Sequence, residues 1–172
     1  LFRSRKYHGM GQRERLLLQI AVLIHACGKF ISVRNSNECA YNIIMSTEII
    51  RISHLEREII ANVVRYNIRD FDYNMVRMET ELDEVTDSFS GQNEVMLLIA
   101  KLTAMLRLAN SMDRGHSAKL ADCRMTVKDQ NLIITTDYHG DITLEAVSFE
   151  QKAAFFEEIF GIRPVLRHKK YV

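Results

Sequence analysis

Apolar positions recur at helical spacing through most of this chain and switch to alternation near its end. From Leu16 to Ser32 (LLLQIAVLIHACGKFIS) a nearly unbroken apolar run leads into His25, Ala26, Cys27 and Gly28. Leu17, Ile20, Ala21 and Ile24 share one helical face, which Leu18 and Val22 widen beyond an ordinary stripe. The pattern predicts a buried helix closing at Gly28, where glycine tolerates the left-handed turn of a C-cap. Ala40 to Met45 predicts a short apolar helix. Ser53-His-Leu-Glu56 has capping-box spacing, in which serine and glutamate each satisfy a free amide of the first turn. The helix it opens runs to about Tyr66, with Ile59, Ile60, Val63 and Val64 inward. Gln92 to Met112 predicts the longest helix, roughly 30 Å at about 1.5 Å per residue.

Beyond Gly115 the period shortens. Arg124 to Lys128 and Leu132 to Thr136 alternate or carry β-branched residues, with Asp129 to Asn131 as the turn of a hairpin. Ile142-Thr-Leu-Glu145 reads as a third strand. Ser148-Phe-Glu-Gln151 reads as a second capping box, opening a helix that stops at Gly161, and Ile162 to Leu166 as a last strand. The expected fold is α+β: a mainly helical domain over 1–118, followed by a small β-β-β-α-β lobe over 119–172.

The connections differ in charge. The first twelve residues are basic (Arg3, Arg5, Lys6) and broken by Gly9 and Gly11, as a helix end and turn. Arg34 to Glu38 is a polar loop. Asp70 to Phe89 holds seven acidic residues against one basic, and reads as a loop with little helix. Leu1-Phe2 resembles the tail of an earlier helix, so the 172 residues are expected to be a piece of a longer protein.

Composition narrows the function classes. Basic and acidic residues number 23 and 22, for a net charge of +1, which argues against nucleic-acid or membrane-surface partners. Cys27, Cys39 and Cys123 form no CxxC pair; reduced thiols and a cytoplasmic setting are expected, without structural zinc or disulfides. The apolar run near Val95 is interrupted by Lys101 and Arg107, against a membrane span. His54, His116 and His139 fall in a cap or in turns and read as solvated. No phosphate-binding glycine loop and no nucleophile triad appear. Cys27 beside His25 reads as a buried thiol. His25 admits two readings from spacing: a residue pointing into a pocket, or a hydrogen-bonded core residue.

Four stretches in order carry a resemblance: the apolar helix into His25-Ala-Cys-Gly28 with Phe30-Ile-Ser32, then Cys39-Ala-Tyr-Asn-Ile-Ile44, Glu56 to Tyr66 (EREIIANVVRY) and Leu106 to Arg114 (LRLANSMDR). Together with the strands and helix after Cys123, they resemble the C-terminal domain of the exopolyphosphatase and guanosine-pentaphosphate phosphohydrolase (Ppx/GppA) family. That resemblance implies a helical His-Asp (HD) phosphohydrolase fold, in which histidines and aspartates gather one or two divalent ions. Here the pattern has lost its charged ligands. His25 stands at the histidine position, but Ala26 replaces the aspartate. Glu38 stands for the histidine of His-Ser-Ala-Tyr, Asn67 for that of Arg-Tyr-His, and Asn110 for the later aspartate; His8 aligns weakly as an upstream histidine. Alanine cannot ligate and a neutral amide is a poorer ligand than a carboxylate. The expectation is a vestigial pocket (His25, Ala26, Glu38, Asn67, Asn110), no metal and no catalytic residue in this piece.

The resemblance further implies catalysis and magnesium in actin-like N-terminal domains of the same parent, a homodimer, and polyphosphate as a partner. Arginine and lysine would grip its oxygens; the candidates are Lys29, Arg34, Arg65, Arg69, Arg107 and Arg114. The acidic 70–87 segment would oppose a polyanion within a Debye length of about 8 Å. Two alternatives stand beside this accessory role: a metal-dependent HD phosphohydrolase with an atypical site, and a purely structural dimerisation or regulatory module.

Overall fold

A computed structural model describes residues 8–73 and 91–168 of the chain. The readings of the basic N-terminal turn before His8, of the acidic segment beyond Tyr73, and of the tail after His168 lie outside the described residues. Among these there are five α-helices and one three-stranded sheet: α1 (Gln12–Ile24), a 3-10 turn (Cys27–Phe30), α2 (Ser36–Met45), α3 (His54–Arg65), α4 (Gln92–Met112), β1 (Arg124–Lys128), β2 (Asn131–Thr136), α5 (Thr143–Phe160) and β3 (Arg163–His168). The fold is α+β with a helical bulk. The chain divides into two compact units within α4, one spanning Gly9–Leu106 and the other Arg107 onward with His8.

In the Gly9–Leu106 unit, α1 and α2 pack on α3, and the 3-10 turn packs on α2. Ile59, Ile60, Val63 and Val64 of α3 are buried, as their spacing requires, against a core that includes Leu17 and Ala21 of α1 and Ile44 of α2. The Ser53 box forms as read: Ser53 Oγ accepts from the Glu56 amide at 3.2 Å, and Glu56 Oε2 accepts from the Ser53 amide at 2.9 Å. The same carboxylate takes a fork from Arg13, Nε to Oε1 at 2.5 Å and Nη2 to Oε2 at 2.6 Å, which ties the start of α1 to the start of α3. The fork holds the Glu56 carboxyl below the ordinary carboxylate range, against the upward push of burial.

Two expectations for the first helix are corrected. Helix α1 stops at Ile24, before Gly28, and its apolar run is not buried all round: Leu17 and Ala21 are enclosed, while Leu16, Val22 and Leu23 face solvent. Gly28 is not a left-handed cap. It lies in the 3-10 turn, where an added Cβ would fall 1.8 Å from the Ser36 carbonyl oxygen and 2.6 Å from the Ala40 nitrogen. Glycine is needed there for the close approach of two backbones, not for its φ angle.

In the second unit, β1 and β2 form the expected antiparallel hairpin. Asp129 and Gln130 both take positive φ at its two-residue turn (49° and 58°), the handedness that matches strand twist. β2 alternates, with Leu132, Ile134 and Thr136 buried. β3 pairs parallel to β2, and α5 forms the connection between them. Gly161 closes α5 in the left-handed conformation, as read.

The lobe is β-β-α-β; the third strand over Ile142 to Glu145 does not form. Asp141 Oδ1 accepts from the Thr143 amide at 2.9 Å and the Thr143 hydroxyl at 2.6 Å, so the backbone turns into α5 at Thr143. Glu145 is thereby drawn inward to Lys119 Nζ, 3.2 Å from its Oε2, and the inward face of α5 continues through Phe149, Ala153 and Phe156. Ser148, read as a cap, lies inside the helix. Burial works to raise the Glu145 carboxyl, but bonds from its own amide and from Lys119 hold it below the ordinary range.

Candidate functional site

The residues singled out by sequence fall on the ends of α1, α2, α3 and α4. His25 follows α1, and its Nδ1 lies 2.7 Å from the Val22 carbonyl, to which it donates. One ring nitrogen is therefore spent on the last turn of its own helix. Ala26 precedes the 3-10 turn. Burial pushes the neighbouring Cys27 thiol up, the direction opposite to that of an activated nucleophile. Asn67 is buried just after α3. Asn110 is partly exposed on α4 and belongs, with the buried His8, to the second unit.

Glu38 has charged partners, and they are cations. Its Oε1 accepts from Arg65 Nε at 2.9 Å and from Arg69 Nη1 at 3.1 Å. The three differ in access: the Arg65 side chain is 11% exposed, Glu38 39% and Arg69 45%. Arg65 has two aromatic neighbours. Its guanidinium lies 5.1 Å from the ring centre of Tyr41 and 5.8 Å from that of Tyr66, both cation–π contacts. Tyr66 in turn meets Phe71, whose ring meets Tyr73, at centroid distances of 5.0 and 4.9 Å. This aromatic chain anchors the turn that carries Arg69. Arg65 is thus a pinned cation and Arg69 an accessible one, both aimed at one oxygen.

As placed, these donors do not fit a divalent ion. Ala26 offers no atom, His25 has committed one nitrogen, and Glu38 carries two positive charges where a third would be repelled. Among the described residues, no three histidine, cysteine, aspartate or glutamate side chains gather as a cation site. His54, His116 and His139 are exposed.

The six basic candidates are divided between the two units. Lys29 and Arg34 are exposed in the segment that leads into α2, the helix whose first turn carries Glu38. Arg65 and Arg69 meet at that glutamate. Arg114 is exposed in the second unit. Arg107 is buried, its guanidinium 4.6 Å from the ring centre of Phe155, so it serves the interior of that unit instead of the surface. The aromatic clamp on Arg65 was not legible in advance. Its one sequence signal is that tyrosines occur both in the Glu38 helix and beside Arg65.

Several apolar side chains between the end of α1 and the start of α2 are exposed. Phe30 is 96% exposed and Leu23 83%, with Ile31 and Val33 also open to solvent. The Asn93–Met112 stretch is long and apolar enough to cross a bilayer, yet 67% of its best window is buried inside the protein, the behaviour of a core helix.

No curated protein matches the sequence. A family model described as Ppx/GppA phosphatase, domain III, matches residues 3–153. That span takes in α1, the arginine-bound Glu38, the long α4 and most of α5, and by it the chain belongs to the Ppx/GppA phosphatase family, as a domain III.

Proposed function

We propose that this domain is a non-catalytic accessory part of an exopolyphosphatase-like enzyme and that it holds polyphosphate for catalytic domains elsewhere in the parent chain. The observation that carries the reading is the convergence of Arg65 and Arg69 on a single oxygen of Glu38. Two guanidinium groups aimed at one oxygen is the donor arrangement that recognises phosphate oxyanions. Lys29 and Arg34, exposed on the approach to the same helix, extend the positive charge along the chain. On this reading the domain keeps no metal of its own, because Ala26, Asn67 and Asn110 replace ionic ligands. Magnesium and bond cleavage belong to the actin-like domains of the parent.

A second reading is favoured by a different observation. Leu23, Phe30, Ile31 and Val33, close in sequence, all expose apolar side chains, and a contiguous apolar patch marks a docking surface. In this reading the domain is a docking module that pairs with a second copy. Light scattering on the isolated domain, with and without a long polyphosphate, separates the two. The polyphosphate reading expects a mass increase that follows the added polymer and reverses with salt. A constant dimer mass indifferent to polymer would replace it with the docking reading.

A further inference from the structure

Glu38 stands where an external anion would stand. It sits in the first turn of α2, its carboxylate is partly open to solvent, and it faces both guanidiniums of the proposed site. Arg65 also makes cation–π contacts with Tyr41 and Tyr66, which do not involve the carboxylate. Resting on the polyphosphate reading above, we propose that Arg65 and Arg69 form an oxyanion site that Glu38 fills as an intramolecular competitor, so that only an anion making further contacts, such as a long polyphosphate, binds measurably.

The physical basis is effective concentration. A carboxylate tethered on the neighbouring helix competes at millimolar or higher effective concentration without losing translational freedom. A single phosphate ion, gripping the same two arginines, pays that loss in full and does not displace it. A long chain that also touches Lys29 and Arg34 gains further contacts once the first is made. It can swing Glu38 aside, because the carboxylate and Arg69 are both solvent-accessible. Glu38 therefore sets a threshold on chain length: it weakens every anion by the same factor, and only multivalent ones retain measurable affinity. The acidic side chain at this position, out of keeping with an anion site, then has a role in it.

Calorimetric titration of the domain at fixed low ionic strength tests this, using orthophosphate, tripolyphosphate and a long polyphosphate against the wild type and Glu38→Gln. The wild type should bind the long polymer and give no measurable heat with orthophosphate. Glu38→Gln should tighten tripolyphosphate by about tenfold or more and make orthophosphate binding detectable. Adding Arg69→Ala to Glu38→Gln should abolish the gain. Glu48→Gln, which removes the same charge from another exposed position, should leave all three affinities within about twofold. If the wild type binds the long polymer and Glu38→Gln behaves like Glu48→Gln, the competitor role is wrong and the polyphosphate reading survives. If Glu38→Gln binds polyphosphate and the wild type binds none, the competitor role holds and the reading for the natural domain fails. If neither binds, both fall.

Discussion

A Cβ on Gly28 would lie 1.8 Å from the carbonyl oxygen of Ser36, less than any two unbonded atoms tolerate. The approach seats the 3-10 turn on α2 and thereby places the first turn of that helix, with Glu38, against Arg65 at the end of α3. Gly28→Ala should therefore destabilise the domain by about 3 kcal/mol or more, since the clash is with backbone that cannot rotate away. Gly161→Ala, where the difficulty is a φ of 64° in open space, should cost only about 1 kcal/mol. Urea denaturation of the two variants checks the ordering.

Arg13 and Glu56 carry a pH signature. The folded carboxyl lies below its unfolded value, so its stabilising contribution is complete above about pH 4.3 and is lost as pH falls through the lower folded value. Glu56→Gln should cost about 1–2 kcal/mol at neutral pH, kept modest by the half-exposed Arg13. The gap from the wild type should close as the pH is lowered past 4. A gap that persists unchanged in acid would mean that the charge of Glu56 contributes nothing.

How much of this was readable from sequence depends on the range of the interaction. The Ser53–Glu56 box and the Gly161 stop are local devices that formed where their spacing placed them, and the hairpin turn read over Asp129 to Asn131 formed one residue shorter, with Asn131 opening β2. Gly28 was seen as special for the wrong reason, because its partner Ser36 belongs to a different element and no local pattern announces a backbone contact. Ile142 to Glu145 has the composition of a strand. What decides it is the pair of bonds that Thr143 donates to Asp141 and the burial of Glu145 beside Lys119, the second of which is set by tertiary structure. Arg107 looked like one more surface cation, and only its packing on Phe155 places it inside. The family resemblance singles out Glu38 for a vestigial pocket and Arg65 and Arg69 for an anion, but no local pattern announces that the two arginines bond to that glutamate.

Lys119 and Glu145 form a mostly enclosed pair whose loss should make a deficit that closes on acidification at a higher pH than for an exposed bridge. Lys119→Met leaves an ionised carboxylate buried without its cation, so burial then dominates and raises the Glu145 carboxyl. The variant should be clearly less stable than the wild type at pH 7 and should approach it at pH 4, where the variant's Glu145 is protonated. Thermal melts at the two pH values decide it; an equal deficit at both would remove the buried-charge explanation.

Phe30 and Leu23 touch little of their own unit, so replacing both with serine should change unfolding free energy by less than about 0.5 kcal/mol each. The same double variant should be more soluble and should lose any self-association that the wild type has. Sedimentation velocity beside a melting curve gives both numbers. A large stability loss would mean that these side chains are packed in solution.

The central claim is that the cations around Glu38 hold polyphosphate. The most direct measurement is a calorimetric titration of a long polyphosphate into the wild-type domain and into Lys29→Ala/Arg34→Ala/Arg69→Ala, a variant confined to exposed positions. The account predicts saturable binding by the wild type that weakens steeply with salt, and at least a tenfold (about 1.4 kcal/mol) loss in the triple variant. Equal affinity in the two proteins, or no heat from the wild type at low salt, would contradict it.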